Sequence, residues 1–265
     1  MTGGDHERRT LRLEIEYDGG GFAGWAAQPG QRTCEGVLTE ALVTLTRGPV
    51  ELSVAGRTDA GVHATGQVAS LVTAASVDPT RLLRGLVGVL PEDIAVRAVH
   101  EAEDGFDARR DALSRAYVYR VLTSSAPSPL RRQHVLHHPW PLDLALLRRA
   151  TAAMVGQHDF TAFTPTDTQH VFFDRTVLRS DWIESGDELV FRIEADAFLR
   201  HMVRVMVGTL LEVGRGRLPV ERFAALLDGA RRSDAGPTAP AHPLCLVGVR
   251  YPDPRPAAHR PEPVT

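Results

Sequence analysis

Lysine is missing from this chain, so all 30 basic residues are arginine. Guanidinium forks suit phosphate and stacking contacts better than ammonium groups do, although a compositional bias of the source genome explains the absence better. Cysteine is scarce: Cys34 and Cys245 stand far apart with no CxxC spacing. That excludes a disulfide framework and a zinc site, and fits a reducing, cytoplasmic setting. Long apolar runs are lacking too. The first ten residues, MTGGDHERRT, carry charge where a signal peptide needs an apolar stretch. The richest apolar segment, 202–213, is interrupted by Arg204 and Glu212, so it is no membrane span. A formal net charge of −3 gives no overall pull toward nucleic acid, so the placement of the arginines decides. What is present is ordinary globular material: 265 residues, 43% hydrophobic and 24% charged, enough for one large or two medium domains.

Periodicity divides the chain into two similar runs. LRLEIEYDG (11–19) alternates, with Leu11, Leu13, Ile15 and Tyr17 on one face, as a half-buried strand does. A glycine-rich loop follows, and helical spacing of Val37, Leu38, Ala41, Leu42 and Leu45 comes next, closed by Gly48-Pro49. Strands are predicted at 51–56, 67–73 and 93–99, and a helix at 78–91 opened by Asp78 and Pro79. The second run has strands at 116–122, 175–184, 188–195 and 244–251 and helices at 141–156 and 199–213, with an extra helix near 220–229. Each run reads β-α-β-β-α-β, the ferredoxin-like order of an α+β protein. The expected divisions are a disordered tail at 1–9, halves at 10–107 and 108–252, and a disordered proline-rich tail at 253–265. Ferredoxin-like sheets host many functions, so chemistry must be sought in particular residues.

The segment GRTDAGVHATGQ (56–67) packs three glycines, an arginine, one carboxylate and a histidine between predicted strands. Thr58-Asp59-Ala60-Gly61 is good turn chemistry by itself, and Arg57 is then only a surface partner. Against that reading, the loop projects from a sheet edge and its glycines allow another backbone to come close. No second acid stands near Asp59 in the chain, as a glycosidase pair or a magnesium site needs. A lone carboxylate beside a guanidinium is an anion, which suits a nucleophile or a base. On the helix at 199–213, Arg200, Arg204, Gly208 and Glu212 follow at spacing four as a narrow polar stripe. An arginine on such an apolar helix needs a carboxylate, and Asp59 is a candidate. His134, His137 and His138 lack an acid or cysteine at ligand spacing and read as a solvated loop.

GRTDAGVHATGQVAS resembles the signature of the tRNA pseudouridine synthase A family. Similarity to that family continues through YDGGGFAGWAAQP (17–29), LPEDIAV (90–96), FDARRDALSRAYVYRV (106–121), GQHDFTAF (156–163) and FLRHMVRVMVGTLLEVGRG (198–216). It runs from about Leu11 to Tyr251. The resemblance implies the pseudouridine synthase fold: both halves in one continuous, mixed, mainly antiparallel sheet with helices on one face. It implies isomerisation of uridine to pseudouridine in the anticodon stem-loop of tRNA (family positions 38, 39 and 40), by base flipping, in a homodimer, with no cofactor and no metal. By motif position Asp59 matches the family's essential aspartate, whether it attacks the sugar, attacks the base or removes the C2′ proton. Tyr117 matches the active-site tyrosine that stacks on the base, Arg204 the arginine paired with the carboxylate, and Arg57 the arginine that helps displace the base. His201 is either an RNA contact or a structural histidine. Arg109, Arg110, Arg115, Arg131 and Arg132 are expected at phosphates. Two departures stand out: Ala26 where glutamine is usual, and the less basic Ser114-Arg115-Ala116. The rival readings are a catalytically dead RNA-binding module and an aspartate phosphotransferase; the first would have lost Asp59, and the second needs more carboxylates in its loop.

Overall fold

The computed structural model describes residues 8–252; positions 1–7 and 253–265, most of the two expected tails, lie outside the described residues. Arg8 and Arg9 already pair with Ala74 and Thr73 in the first strand, two residues before the expected start of order. The first run comprises β1 (Arg8–Tyr17), α1 (Cys34–Thr46), β2 (Glu51–Val54), β3 (His63–Ala74), α2 (Pro79–Val89) and β4 (Ile94–Glu101). The second comprises β5 (Ser114–Leu122), β6 (Leu136–His137), α3 (Leu144–Ala153), β7 (Gly156–Asp159), β8 (Asp174–Ser185), β9 (Glu188–Ala195), α4 (Met202–Gly214), α5 (Val220–Ala225) and β10 (Leu244–Arg250).

The strands form one ten-stranded sheet ordered β4-β1-β3-β10-β5-β9-β8-β7, with β2 on β3 and β6 on β5. Each run has the ferredoxin-like order, β4-β1-β3-β2 and β10-β5-β9-β8. All strand pairings are antiparallel except β10 on β3 and β6 on β5. The alternation of β1 works as expected: Leu11, Leu13, Ile15 and Tyr17 are buried with Leu38 and Leu42 of α1 and with Leu82 and Leu86 of α2. Helix starts follow their caps. Asp78 accepts from the Arg81 amide at 2.7 Å, and Asp143 accepts from the amides of Ala145 and Leu146.

One edge of β3 is shared, and this positions the site. Its far end pairs with β2 (Val54 opposite Ala69), while its first residues, His63 and Ala64, lie beside Cys245 and Leu246 of β10. Residues 55–62 therefore leave the sheet where the two runs join. Two expectations are corrected nearby. The segment expected to be loop up to residue 66 is strand from His63 onward, where β10 pairs with His63 and Ala64 and β1 with Ala64. The 134–138 segment is only in part the expected solvated loop: His134 is exposed, but Val135 and His138 are buried, and the His138 amide donates to Leu122 O at 2.8 Å. The extra helix is also shorter than expected, ending at Ala225.

Candidate active site

The loop that carries Asp59 is held from beneath by the first run. Its turn closes with the Val62 amide donating to Asp59 O at 3.1 Å, and Gly61 takes φ +79°, a conformation unfavourable to a side chain. Thr58 is buried: its carbonyl accepts from the Trp25 amide at 3.0 Å, and its hydroxyl bonds the Tyr17 hydroxyl at 2.8 Å. Gln67 spans the base of the loop, donating to Gly56 O at 2.7 Å and to the Tyr17 hydroxyl at 3.3 Å. Between the pairs Ile15–Gln67 and Tyr17–Ala64 the register shifts, with one extra residue in β3, and Tyr17 comes to lie under the loop. His63, also buried, accepts from the Gly19 amide at Nδ1 (3.0 Å) and donates from Nε2 to Gln133 O (2.9 Å). It ties the loop's end to the second run.

The second run supplies the groups that meet Asp59. Arg204 of α4 donates from Nη1 to Asp59 Oδ2 at 3.0 Å, with the two side chains 17% and 25% exposed. Its Nε donates to Ala239 O at 2.9 Å, and the Ala239 amide donates to Arg204 O at 3.0 Å, so the guanidinium is aimed from both sides. Segment 236–239 reaches α4 only because Gly208 has no side chain; a Cβ there would lie 1.8 Å from Pro237 O. His201 caps α4 at φ +61°, in the left-handed region, and places Nε2 3.6 Å from the same Asp59 oxygen. Such strained backbone in a non-glycine residue costs on the order of 1–3 kcal/mol and gathers at functional sites. Burial lowers the pKa of His201, Asp59 opposes the shift, and Arg204 and Arg200 add to it, so the ring is neutral at pH 7. Tyr117 of β5 is 7% exposed and meets Phe198 edge-to-face at 5.0 Å. Burial, then the Asp59 charge, raises its pKa and keeps the phenol protonated.

These groups line a cleft of about 890 Å³ whose apolar wall includes Phe198, Leu199, Met202 and Leu244. An anion held beside an aromatic ring in a cleft of nucleoside size or larger suits attack on, or proton removal from, a nucleoside. Asp59, Arg57, Tyr117, His201, Arg204 and Arg109 all face this space, as does Ala26. Arg110 does not: its guanidinium is tied to Asp111 and to Gly105 O. Arg115 borders the cleft, but buried, its fork donating to carbonyls of Ala55, Arg109, Ala112 and Asp196. Arg131 is committed to Asp187 and Glu188. Tyr119 is a core residue bonded to Pro240 O. The fold also brings in acids the local sequence does not show beside Asp59. Glu35 accepts from the Ala27 amide, and Asp167 pairs with Arg200.

A family model described as tRNA pseudouridine synthase matches residues 15–109 and 150–252. The chain is 48% identical over 254 residues to tRNA pseudouridine synthase A of Frankia casuarinae, covering 94% of this chain and 92% of that protein. It is 44% identical over 251 residues to tRNA pseudouridine synthase A of Chloroflexus aurantiacus, covering 92% and 89%. Among solved structures, a chain of a Cbf5–Nop10–Gar1 complex overlaps with a TM-score of 0.34 and 12% identity, over 76% of this chain and 45% of that one, too slight a likeness to inform the fold. With two runs of matched residues spanning the cleft, and relatives aligned along nearly their whole length, this chain belongs to the tRNA pseudouridine synthase family.

Proposed function

We propose that this protein isomerises uridine to pseudouridine in the anticodon stem-loop of tRNA, with Asp59 as its reactive anion. The observation that carries the reading is the Asp59–Arg204 pair, formed across the junction of the two runs and open to a cleft large enough for a nucleoside beside Tyr117. The target nucleotide must leave its stack, which costs a few kcal/mol. The Tyr117 ring offers a face on which a base stacks at any rotation, recovering about 1–3 kcal/mol. Arg57 is exposed at the cleft, and its guanidinium has no partner among the described residues, so it is available to fill the space the base leaves.

The N1–C1′ bond breaks, the uracil turns, and C5 bonds to C1′; the C5 proton leaves and N1 takes one up. Asp59 acts at the sugar, at the base or on the C2′ proton, and in each case Arg204 fixes its carboxylate. Residues 10–107 supply Asp59 and Arg57, while 108–252 supply Tyr117, His201 and Arg204. A homodimer in the cytoplasm, with one tRNA lying across both subunits, completes the reading on the family resemblance. Incubating the protein with an unmodified tRNA transcript, followed by nucleoside analysis, tests it. Pseudouridine in the anticodon stem-loop is expected; bound but unconverted tRNA overturns the catalytic reading.

A further inference from the structure

Most arginines of this protein are neutralised where they stand. Arg32 is paired with Asp93, Arg120 and Arg131 with Glu188, and Arg192 with Asp181. One part of the cleft reverses that pattern. The guanidinium of Arg109 and the ring of His170 make no hydrogen bond or ion pair among the described residues, and both face the cleft. Arg175, at the start of β8, spends Nη1 on the carbonyls of Phe172 (3.1 Å) and Asp174 (2.5 Å). Its Nε is buried with no acceptor.

Three separate segments bring these side chains together: the link from β4 to β5, the stretch before β8, and β8 itself. All three side chains line the same cleft. After burial, Arg175, Arg109 and Arg200 all push the pKa of His170 down. The acids nearest Arg175 are otherwise engaged or turned aside. Asp196 Oδ1 accepts from the amides of Thr176 and Ala197, and Asp174 offers only its carbonyl. Asp196 and Asp174 offset part of the charge on Arg175, but Arg109 has no ion pair among the described residues and the neutral His170 ring has an N–H to donate, an arrangement that suits an anion. The exposed Arg109 guanidinium, with no partner among the described residues, presents a fork shaped for the two oxygens of a phosphodiester.

We propose that Arg109, His170 and Arg175 form a phosphodiester subsite on the rim of the cleft, gripping the RNA backbone beside the extruded nucleotide. This rests on the cleft being an RNA site. Arg200 is a reserve contact, withheld by its pair with Asp167. The subsite carries no base information; it sets the register of the strand so that one nucleotide meets Asp59.

The test couples protein and RNA changes. Anticodon stem-loops, each with a single neutral methylphosphonate at one position around the target uridine, are titrated against wild type, Arg109→Gln and Arg175→Gln. Arg149→Gln, on α3 and paired with Glu221, serves as a control. Each cleft variant is expected to weaken binding of unmodified RNA by roughly fivefold to twentyfold and to shallow the log–log salt slope by about 1. One methylphosphonate should weaken wild type by a similar factor yet leave Arg175→Gln unaffected. Equal losses in wild type and variant at every phosphate, or no loss in the cleft variants, overturn the subsite. If wild type binds no stem-loop at all, the RNA reading itself fails, and the subsite with it. Should Arg175→Gln misfold, the exposed Arg109 side chain still decides the matter through the same cycle.

Discussion

Replacing Arg204 with glutamine separates what the guanidinium does for Asp59 from what the fold does. The pair is 3.0 Å long, and its carboxylate is 25% exposed. Charges about 4 Å apart attract by roughly 4 kcal/mol at an effective dielectric of about 20. Partial exposure screens this, leaving about 2 kcal/mol, between a surface pair and a buried one. His201, 3.6 Å from the same oxygen, is neutral at pH 7 and cannot replace the lost charge. The freed carboxylate then loses its aim, and about 2–3 kcal/mol of transition-state stabilisation corresponds to a roughly 30- to 150-fold fall in rate. Arg204→Lys keeps a charge but not the simultaneous bond to Ala239 O, and should lose about tenfold. The assay is single-turnover pseudouridine formation with saturating enzyme, with tRNA affinity measured separately. A rate for Arg204→Gln within threefold of wild type would refute the idea that this pair organises the site.

Tyr117→Leu removes the stacking face and should slow single turnover by about 5- to 150-fold, the worth of one stacked base, while a comparable loss at Tyr119→Leu without unfolding would contradict the assignment. Gly208→Ala forces a Cβ against Pro237 O and displaces the 236–239 segment that anchors Arg204. A stability loss of about 1–3 kcal/mol by urea unfolding is expected, together with reduced activity, and unchanged stability would refute the close approach. His134, His138, His170, His201 and His242 all have pKa values lowered first by burial. Unfolded histidine titrates near 6.5, so the unfolded chain binds more protons just below that pH. Stability is therefore full above about pH 6.5 and falls as pH drops through the depressed folded values; a Tm unchanged between pH 7 and 5.5 would contradict this.

Periodicity and caps made much of the architecture legible. β1 showed in its alternation, α2 in Asp78-Pro79, and α4 in an apolar helix carrying a four-spaced polar stripe. That stripe had a meaning that spacing alone does not show: Arg204 reaches Asp59, and Gly208 admits the Pro237 carbonyl. Asp59 and Tyr117 were singled out through segments that resemble the family's, and the fold brings both to one cleft. Residues whose partners are distant were not legible. Arg115 looks like any surface arginine in sequence, yet five hydrogen bonds to carbonyls bury it as a brace. Arg110 is drawn off by its neighbour Asp111. His138 is buried because β6 returns to β5, a two-residue pairing below the reach of periodicity. His170 and Arg175 acquire significance only when three segments meet, and the strained backbone of His201 has no signature in side-chain type.

The reading of Asp59 as the reactive anion is tested most directly by tritium release from tRNA labelled at uridine C5, comparing wild type with Asp59→Asn. Forming the C5–C1′ bond expels that hydrogen, so release reports chemistry apart from binding. Stoichiometric release by wild type and none by Asp59→Asn, with tRNA affinity retained, is the expected result. Release by Asp59→Asn at the wild-type rate would contradict it.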